Sequence, residues 1–269
     1  MAITLTYEAG GVLVAGGTGR IGDGIVRRLA AAGVPVVFTY HQDSAHAKAL
    51  EAELSADGHR VRGEWMDMAD TASIEAALDR VVSEYGDVHG VVCAGGPRFE
   101  FDRLMDVPVD AAERFVNGDA LGVYRIAHAA VPLLRERGGG TITLCTTIAT
   151  KRAIAFDGLS PLSKGSVDAL IRTVAAEEAE HGIRCNGVAI GWVESRTIEQ
   201  VREHTRLGVT DPVTKLDRLN VLMEQMLDLA RLGRPVTPAE AGTLFAFLVS
   251  EEAKYLTGQV IALDAGVLL

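Results

Sequence analysis

The chain reads as an α/β protein built on a doubly wound parallel sheet, and three observations say so. Short apolar runs alternate with longer amphipathic stretches along the whole length, as successive strand–helix–strand units do. The apolar runs are unbroken rather than alternating, which is what strands covered on both faces require. A glycine-rich string, Gly16-Gly17-Thr18-Gly19-Arg20-Ile21-Gly22, follows the first run directly and leads into a helical stretch.

Residues 11–15 (GVLVA) are expected to form a buried strand, 21–32 a helix, 34–40 (VPVVFTY) a second strand and 44–56 a second helix. A third strand is placed at 60–66. Within 71–85, Ile74, Ala77, Leu78, Val81 and Val82 recur at spacings of three and four, the pattern of an amphipathic helix. Residues 88–93 (VHGVVC) are the fourth strand, 111–134 one long helix, 141–146 (TITLCT) the fifth strand and 163–181 a helix. A sixth strand at 183–189, a helix at 238–249 and a last strand at 259–263 complete the series. With no repeat, linker or low-complexity segment, residues 1–269 are expected to be one Rossmann-type domain.

One segment breaks the rhythm. Residues 195–233 carry helical pattern and no strand. In open α/β sheets ligands bind beyond the carboxyl ends of the strands, so this insertion is expected to be a substrate lid. Its Leu216, Leu219, Leu222, Met223, Met226, Leu227 and Leu229 recur at helical spacing. They read either as a cover for a hydrophobic substrate or as a helix buried on its own domain or a sister subunit. Val131, Leu133, Leu134, Leu244, Phe245, Phe247 and Leu248 are further candidates for oligomer faces.

Composition narrows the function. Of 269 residues 48% are hydrophobic, enough for a large core, so a disordered chain is excluded. Twenty-six basic residues face 36 acidic ones, a net charge of −10, which argues against a nucleic-acid partner. No basic cluster and no long apolar run points to a membrane. The three cysteines, Cys93, Cys145 and Cys185, form no C-x-x-C and no metal-ligand spacing, so neither a disulfide framework nor a metal site is expected. The N-terminus lacks a signal-peptide pattern, and a cytoplasmic location is the expectation.

The glycine string carries the first chemistry. Glycines let a backbone turn tightly against a pyrophosphate, and the helix that follows offers free N–H groups and the positive end of its dipole. A nucleotide site at Gly16, Thr18, Gly19, Arg20, Ile21 and Gly22 follows from that placement.

At this point the sequence resembles the short-chain dehydrogenase/reductase family over nearly its whole length. Gly16 and Gly22 match the family's opening T-G-x-x-x-G-x-G, with Ala15 for Thr and Arg20 for the middle Gly. Asp67-Met68 resembles the Asp-Val that holds the adenine amino group, and Cys93-Ala94-Gly95 resembles N-A-G. Ile183-Arg184-Cys185-Asn186 resembles I-R-V-N. Ile190-Gly191, with Val193 and Ser195, resembles P-G-x-x-x-T. Leu256-Thr257-Gly258-Gln259 and Asp264-Ala265-Gly266 resemble T-G-Q and D-G-G. The resemblance implies a nicotinamide cofactor, a small-molecule substrate and a homodimer or homotetramer.

An NAD enzyme usually carries an acid at the end of the second strand to bind the ribose 2′-hydroxyl. Here that position is Tyr40. Arg20, His41, Gln42 and Ser44 could instead accept a 2′-phosphate, so NADP is favoured over NAD; the Arg20 loop with Tyr40-His41 resembles pteridine reductases. Asp43 is the dissenting residue, since it could repel that phosphate or take the NAD role.

The family's catalytic set is Asn, Ser, Tyr and Lys. Lys164 matches the Lys. Ser160 stands where the Tyr belongs, four residues earlier, and Asp157 stands seven residues earlier, the spacing of enoyl reductases. Thr146 is read as the Ser position and Asp119 as the Asn position. Serine is a poor acid at neutral pH, although it can relay a proton. Asp119 and Lys164 are expected to face each other, directly or through water, as a proton route without tyrosine. Asp119-Ala120-Leu121-Gly122 and Cys93-Ala94-Gly95-Gly96 resemble the corresponding segments of dienoyl-CoA reductases. Two readings stand: a reductase of a carbonyl or activated alkene, or a degenerate, non-redox nucleotide binder with a regulatory or biosynthetic role.

Overall fold

The computed structural model describes residues 4–97, 101–193, 225–226 and 228–269. Ser195 and most of the expected lid lie outside the described residues. Seven strands make one sheet: β1 (Gly11–Ala15), β2 (Val36–Tyr40), β3 (Val61–Trp65), β4 (Val88–Cys93), β5 (Gly140–Thr147), β6 (Ile183–Ile190) and β7 (Val260–Leu263). Their order is β3-β2-β1-β4-β5-β6-β7, and all pair in parallel. The order reverses between β1 and β4, so the turns leaving those two neighbours diverge and open a crevice at their carboxyl ends. A single α/β domain of the expected class results.

Helices α1 (Arg20–Ala31), α2 (Ser44–Ala56), α3 (Thr71–Tyr85), α4 (Val109–Gly118), α5 (Ala120–Arg137), α6 (Leu159–Glu177) and α7 (Pro238–Val249) are described. Two hydrophobic clusters flank the sheet. Val12, Val14, Phe38, Ile25, Leu29, Phe245 and Leu248 fill the side of α1, α2 and α7. Leu13, Val91, Ile142, Leu144, Ile126, Val167 and Ile171 fill the side of α3, α5 and α6. Leu134, Phe245 and Leu248, considered above for an oligomer face, are fully buried in these cores. Met226 and Leu229, from the apolar stripe of the insertion, pack with Ile148, Ala189 and Val267 of their own domain.

The long helix expected at 111–134 is instead two helices that meet at Asp119. Gly118 ends α4, and glycine is a weak helix former. The Asp119 backbone (φ −99°, ψ −75°) bends the chain there. Helix α6 begins four residues earlier than expected, at Leu159, so Ser160 lies inside it.

Helices α1 and α7 cross at backbone distance. A Cβ added at Gly24 would sit 2.0 Å from the Pro238 carbonyl oxygen, and one at Gly242 2.2 Å from that of Gly24. Gly242→Ala should therefore lower stability by about 1–3 kcal/mol, because neither backbone can yield. Gly165, an exposed position on α6 with open space around it, is the contrast: Gly165→Ala should raise stability by roughly 0.5–1 kcal/mol. Urea unfolding midpoints measured on the two variants decide both statements.

Candidate active site

The crevice floor is made of two turns in backbone contact. Gly16 leaves β1 in the left-handed region (φ 78°), and a Cβ there would lie 2.4 Å from Gly95 Cα in the turn after β4. A Cβ on Gly22 would lie 2.1 Å from the Gly16 carbonyl oxygen. The turn is held from β2: the Gly16 N–H donates to Thr39 Oγ1 (3.1 Å) and the Gly17 N–H to the Thr39 carbonyl (2.8 Å). No side chain caps α1, so its first N–H groups and dipole face the crevice. A side chain at Gly16 or Gly22 would strike the backbone of these turns and force them apart, losing the close-packed loop that a diphosphate needs. These residues fit a dinucleotide.

Further along the crevice, Asp67 Oδ1 accepts the Ala69 N–H (2.8 Å) and the Asp67 N–H donates to Ser73 Oγ (3.0 Å). Met68 fits between Gly95 and Gly122, where a Cβ would come within 3.1 and 3.0 Å of its side chain. Cys93 closes β4, and the Ala94 N–H donates to the Ala15 carbonyl (3.0 Å). On the far rim a Cβ at Gly191 would approach Asp264 Cα to 2.9 Å, and Val193 bridges to Val236.

At the end of β2, Tyr40 is half-buried against the core. Arg20 is exposed and makes no ion pair or hydrogen bond among the described residues. His41 Nε2 lies 3.9 Å from Asp67 Oδ2, and its ring tilts against Trp65. Gln42 is exposed and Ser44 opens α2. Asp43, the dissenting acid, is the N-cap of α2, with Oδ1 accepting the His46 N–H at 3.0 Å.

One face of α6 carries the rest. Lys164 Nζ donates to Asp119 Oδ1 at 2.6 Å, directly and without an intervening water. Ser163 Oγ donates to Asp119 Oδ2 at 2.7 Å, so both carboxylate oxygens are filled. Asp119 is buried and the Lys164 side chain is 14% exposed, and a Cβ on Gly96, past β4, would lie 3.2 Å from Asp119 Oδ1. Burial pulls the Lys164 pKa down; the Asp119 carboxylate more than offsets this, so the ammonium is held above its ordinary range.

Thr146 is not turned toward that pair. Its hydroxyl donates to Asp168 Oδ1 at 2.6 Å, and Thr150 donates to Asp168 Oδ2 at 2.8 Å. Successive strand residues face opposite ways. Thr147, the last residue of β5, is therefore the hydroxyl on the other face, partly exposed, with Oγ1 accepting the Ala149 N–H. Ser160 is buried, with its side chain beside the Asp157 carboxyl, whose pKa it lowers. Ser163, Thr147, Thr150 and Asp168 were not singled out from sequence, although Ser160, Ser163, Lys164 and Asp168 share the spacing of one helix face. Asn186 clips β6 to the turn before β7, donating to Leu256 O (2.8 Å) and accepting the Gln259 N–H (3.1 Å). Of the five tyrosines, Tyr7, Tyr40 and Tyr85 pack on the cores, Tyr124 stacks on His128 and Tyr255 is exposed. Among the described residues no group of His, Cys, Asp and Glu could hold a metal, and no helix is long and apolar enough to cross a membrane.

Comparisons with known proteins agree with this fold. A family model described as enoyl-(acyl carrier protein) reductase matches residues 16–268. The oxidoreductase UcpA of Salmonella typhimurium is 29% identical over 256 residues, 94% of this chain and 92% of that protein. The short-chain reductase protein NovJ of Streptomyces niveus is 29% identical over 266 residues, covering 98% and 95%. In shape, the chain resembles a short-chain type dehydrogenase/reductase from Mycobacterium ulcerans. The TM-score is 0.86 at 24% identity, over 98% of this chain and 91% of that one.

Two outcomes follow from the site's burial. Cys93, Cys145 and Cys185 are buried, and burial pushes their thiols up to about 12, 11 and 12. A thiol-reactive dye should label none of them in the native protein and all three after unfolding. Lys164→Met should cost roughly 3–5 kcal/mol by stranding the Asp119 charge, whereas adding Asp119→Asn should recover much of that loss. Urea unfolding of the double-mutant cycle measures it.

Proposed function

The chain belongs to the short-chain dehydrogenase/reductase family, and we propose that it is an NADP(H)-dependent reductase of a carbonyl or activated alkene on a small, hydrophobic substrate. One observation carries the reading. A glycine cradle at the β1–β4 switch point adjoins a buried ammonium–carboxylate pair, with Gly96 of the β4 turn against Asp119.

The Gly16–Gly22 turn and the first N–H groups of α1 would hold the diphosphate. Asp67 and Met68 would hold the adenine, and Lys164, Cys93–Gly95, Gly191, Val193 and Ser195 the nicotinamide half. When bound, the nicotinamide supplies the hydride. Asp119 fixes Lys164 in place and in charge. Lys164 then has two N–H donors left for the cofactor's ribose, and its charge stabilises negative charge growing on the substrate oxygen. An ammonium held above its ordinary range is a poor proton donor, so the pair acts through its field and its hydrogen bonds.

Three features favour NADP over NAD. Position 40 has no acid, the Asp43 carboxylate is engaged by the α2 N-terminus, and the Arg20 guanidinium has no partner among the described residues. A phosphate on the ribose would give it one. For assembly we propose a homodimer or homotetramer. Helices α5 and α6 expose Leu121, Tyr124 and Leu162, each about half accessible, and size-exclusion chromatography with light scattering tests this.

The deciding experiment follows NADPH absorbance with ketones, enones and enoyl thioesters. Turnover in one class is expected, and none across the panel with either nicotinamide would overturn the reading. Asp119→Asn should lower turnover roughly 10²–10³-fold with NADPH affinity unchanged, whereas Lys164→Ala should lower both. In fluorescence titrations NADPH should bind more tightly than NADH. Arg20→Ala should weaken NADPH by roughly ten- to a hundredfold, the worth of a charged hydrogen bond, and NADH far less.

A further inference from the structure

The buried face of α6 meets three carboxyl groups, and they are satisfied unequally. Asp168 accepts two hydroxyls, and Asp119 accepts an ammonium and a hydroxyl. Asp157 has only Ser160. Its Oδ1 is buried with no hydrogen-bond partner among the described residues, and the residue as a whole is 9% exposed. A carboxylate left so is costly, and a carboxylic acid much less so.

The backbone holds this arrangement under strain. Phe156, just before it, has φ +69°, a left-handed conformation that bulky residues rarely adopt. The Phe156 carbonyl accepts the Asp102 N–H at 3.1 Å, and residues 102 and 157 form a parallel bridge. The segment packed on the loop brings Asp102, Arg103 and Asp106; the Arg103 N–H donates to Asp102 Oδ1. On the α6 side the charged neighbours are Lys164 and Asp119, bonded to each other. Burial pushes the Asp157 carboxyl up to about 7, and the Ser160 side chain draws it back only in part. Ser160 lies one helical turn before Lys164, which puts their Cβ atoms roughly 5–6 Å apart.

We infer that Asp157 stores the proton that completes the reduction and that the Ser160 hydroxyl passes it to the substrate oxygen. This rests on the reductase reading. Hydride transfer leaves that oxygen, of a carbonyl or of the enolate of an alkene substrate, with an electron pair and one proton short. The Ser160 O–H bond breaks as its proton goes to the substrate. The Asp157 O–H bond breaks as its proton goes to Ser160 Oγ. Asp157 is left as carboxylate and regains its proton from water.

The test compares wild type with Asp157→Asn, which keeps the shape and cannot supply the proton, and with Asp157→Glu, which can. Asp157→Asn should lower kcat roughly 10²–10⁴-fold, the contribution of a positioned acid, with NADPH affinity unchanged; Asp157→Glu should recover part of it. Wild-type kcat should fall as pH rises through about 7, and Asp157→Asn should lose that limb. A readout free of turnover is the melting temperature. The native state keeps the Asp157 proton up to about 7 while the unfolded chain releases it near 3.8. The native state thus binds the extra proton in that window, and wild type should lose stability relative to Asp157→Asn as pH rises across it. A melting difference that is flat across the window overturns proton storage whatever the substrate. An unchanged kcat and pH limb in Asp157→Asn overturns the relay. Absence of turnover in wild type falls on the reductase reading, and the melts still judge Asp157.

Discussion

The ion pair between Asp119 and Lys164 is the contact on which the site's architecture turns. For the carboxylate to reach the α6 ammonium at 2.6 Å, the chain must stop being one helix at residue 119. The bend that results separates α4 from α5, and Ser163 is drawn to the second oxygen. The turn after β4 is then tight at position 96, where a Cβ would lie 3.2 Å from the Asp119 carboxylate. A single buried charge pair thereby fixes the relative placement of three elements around the crevice. Neither partner tolerates removal alone, because a buried charge without its counterpart costs far more than the pair contributes.

The strands were legible because burial on both faces leaves an unmistakable mark: GVLVA, VVFTY and VHGVVC admit no other reading in this context. The glycine turn was legible for the same reason, being a local pattern in a local place. What escaped was tertiary. Residues 111–134 have helical pattern throughout; Gly118 was the one local hint of a break, and the partner that Asp119 meets at the bend lies on α6, forty-five positions later. Thr146 and Thr147 have nearly the same chemistry, and one step of strand parity sends the first to Asp168 and leaves the second at the mouth. Asp43 illustrates a competition between signals. An acid followed by Ser44 at the start of a helical run is a cap pattern, and the cap is what the structure gives it.

Hydroxyls and acids recur as couples along α6. Each couple differs in what else it touches: a cation for Asp119, a second hydroxyl for Asp168, and nothing further described for Asp157. The same side-chain chemistry thus yields an ion-paired carboxylate in one place and, in another, a carboxyl that burial pushes up to about 7. The difference comes from neighbours and from burial rather than from residue identity, and a reading confined to sequence spacing has no access to it.

The close crossing of α1 and α7 bears on how the protein is made. The apolar face of α1 is completed by a helix more than two hundred residues downstream, with Gly24 meeting Pro238 and Gly242. During synthesis β1, β2 and the nucleotide turn emerge early, yet their helical cover on that side is the penultimate regular element of the chain. Loop closure over such a distance comes late. A nascent chain therefore carries Ile25, Val26 and Leu29 uncovered until translation is nearly finished, and a truncation before α7 leaves that surface open to aggregation.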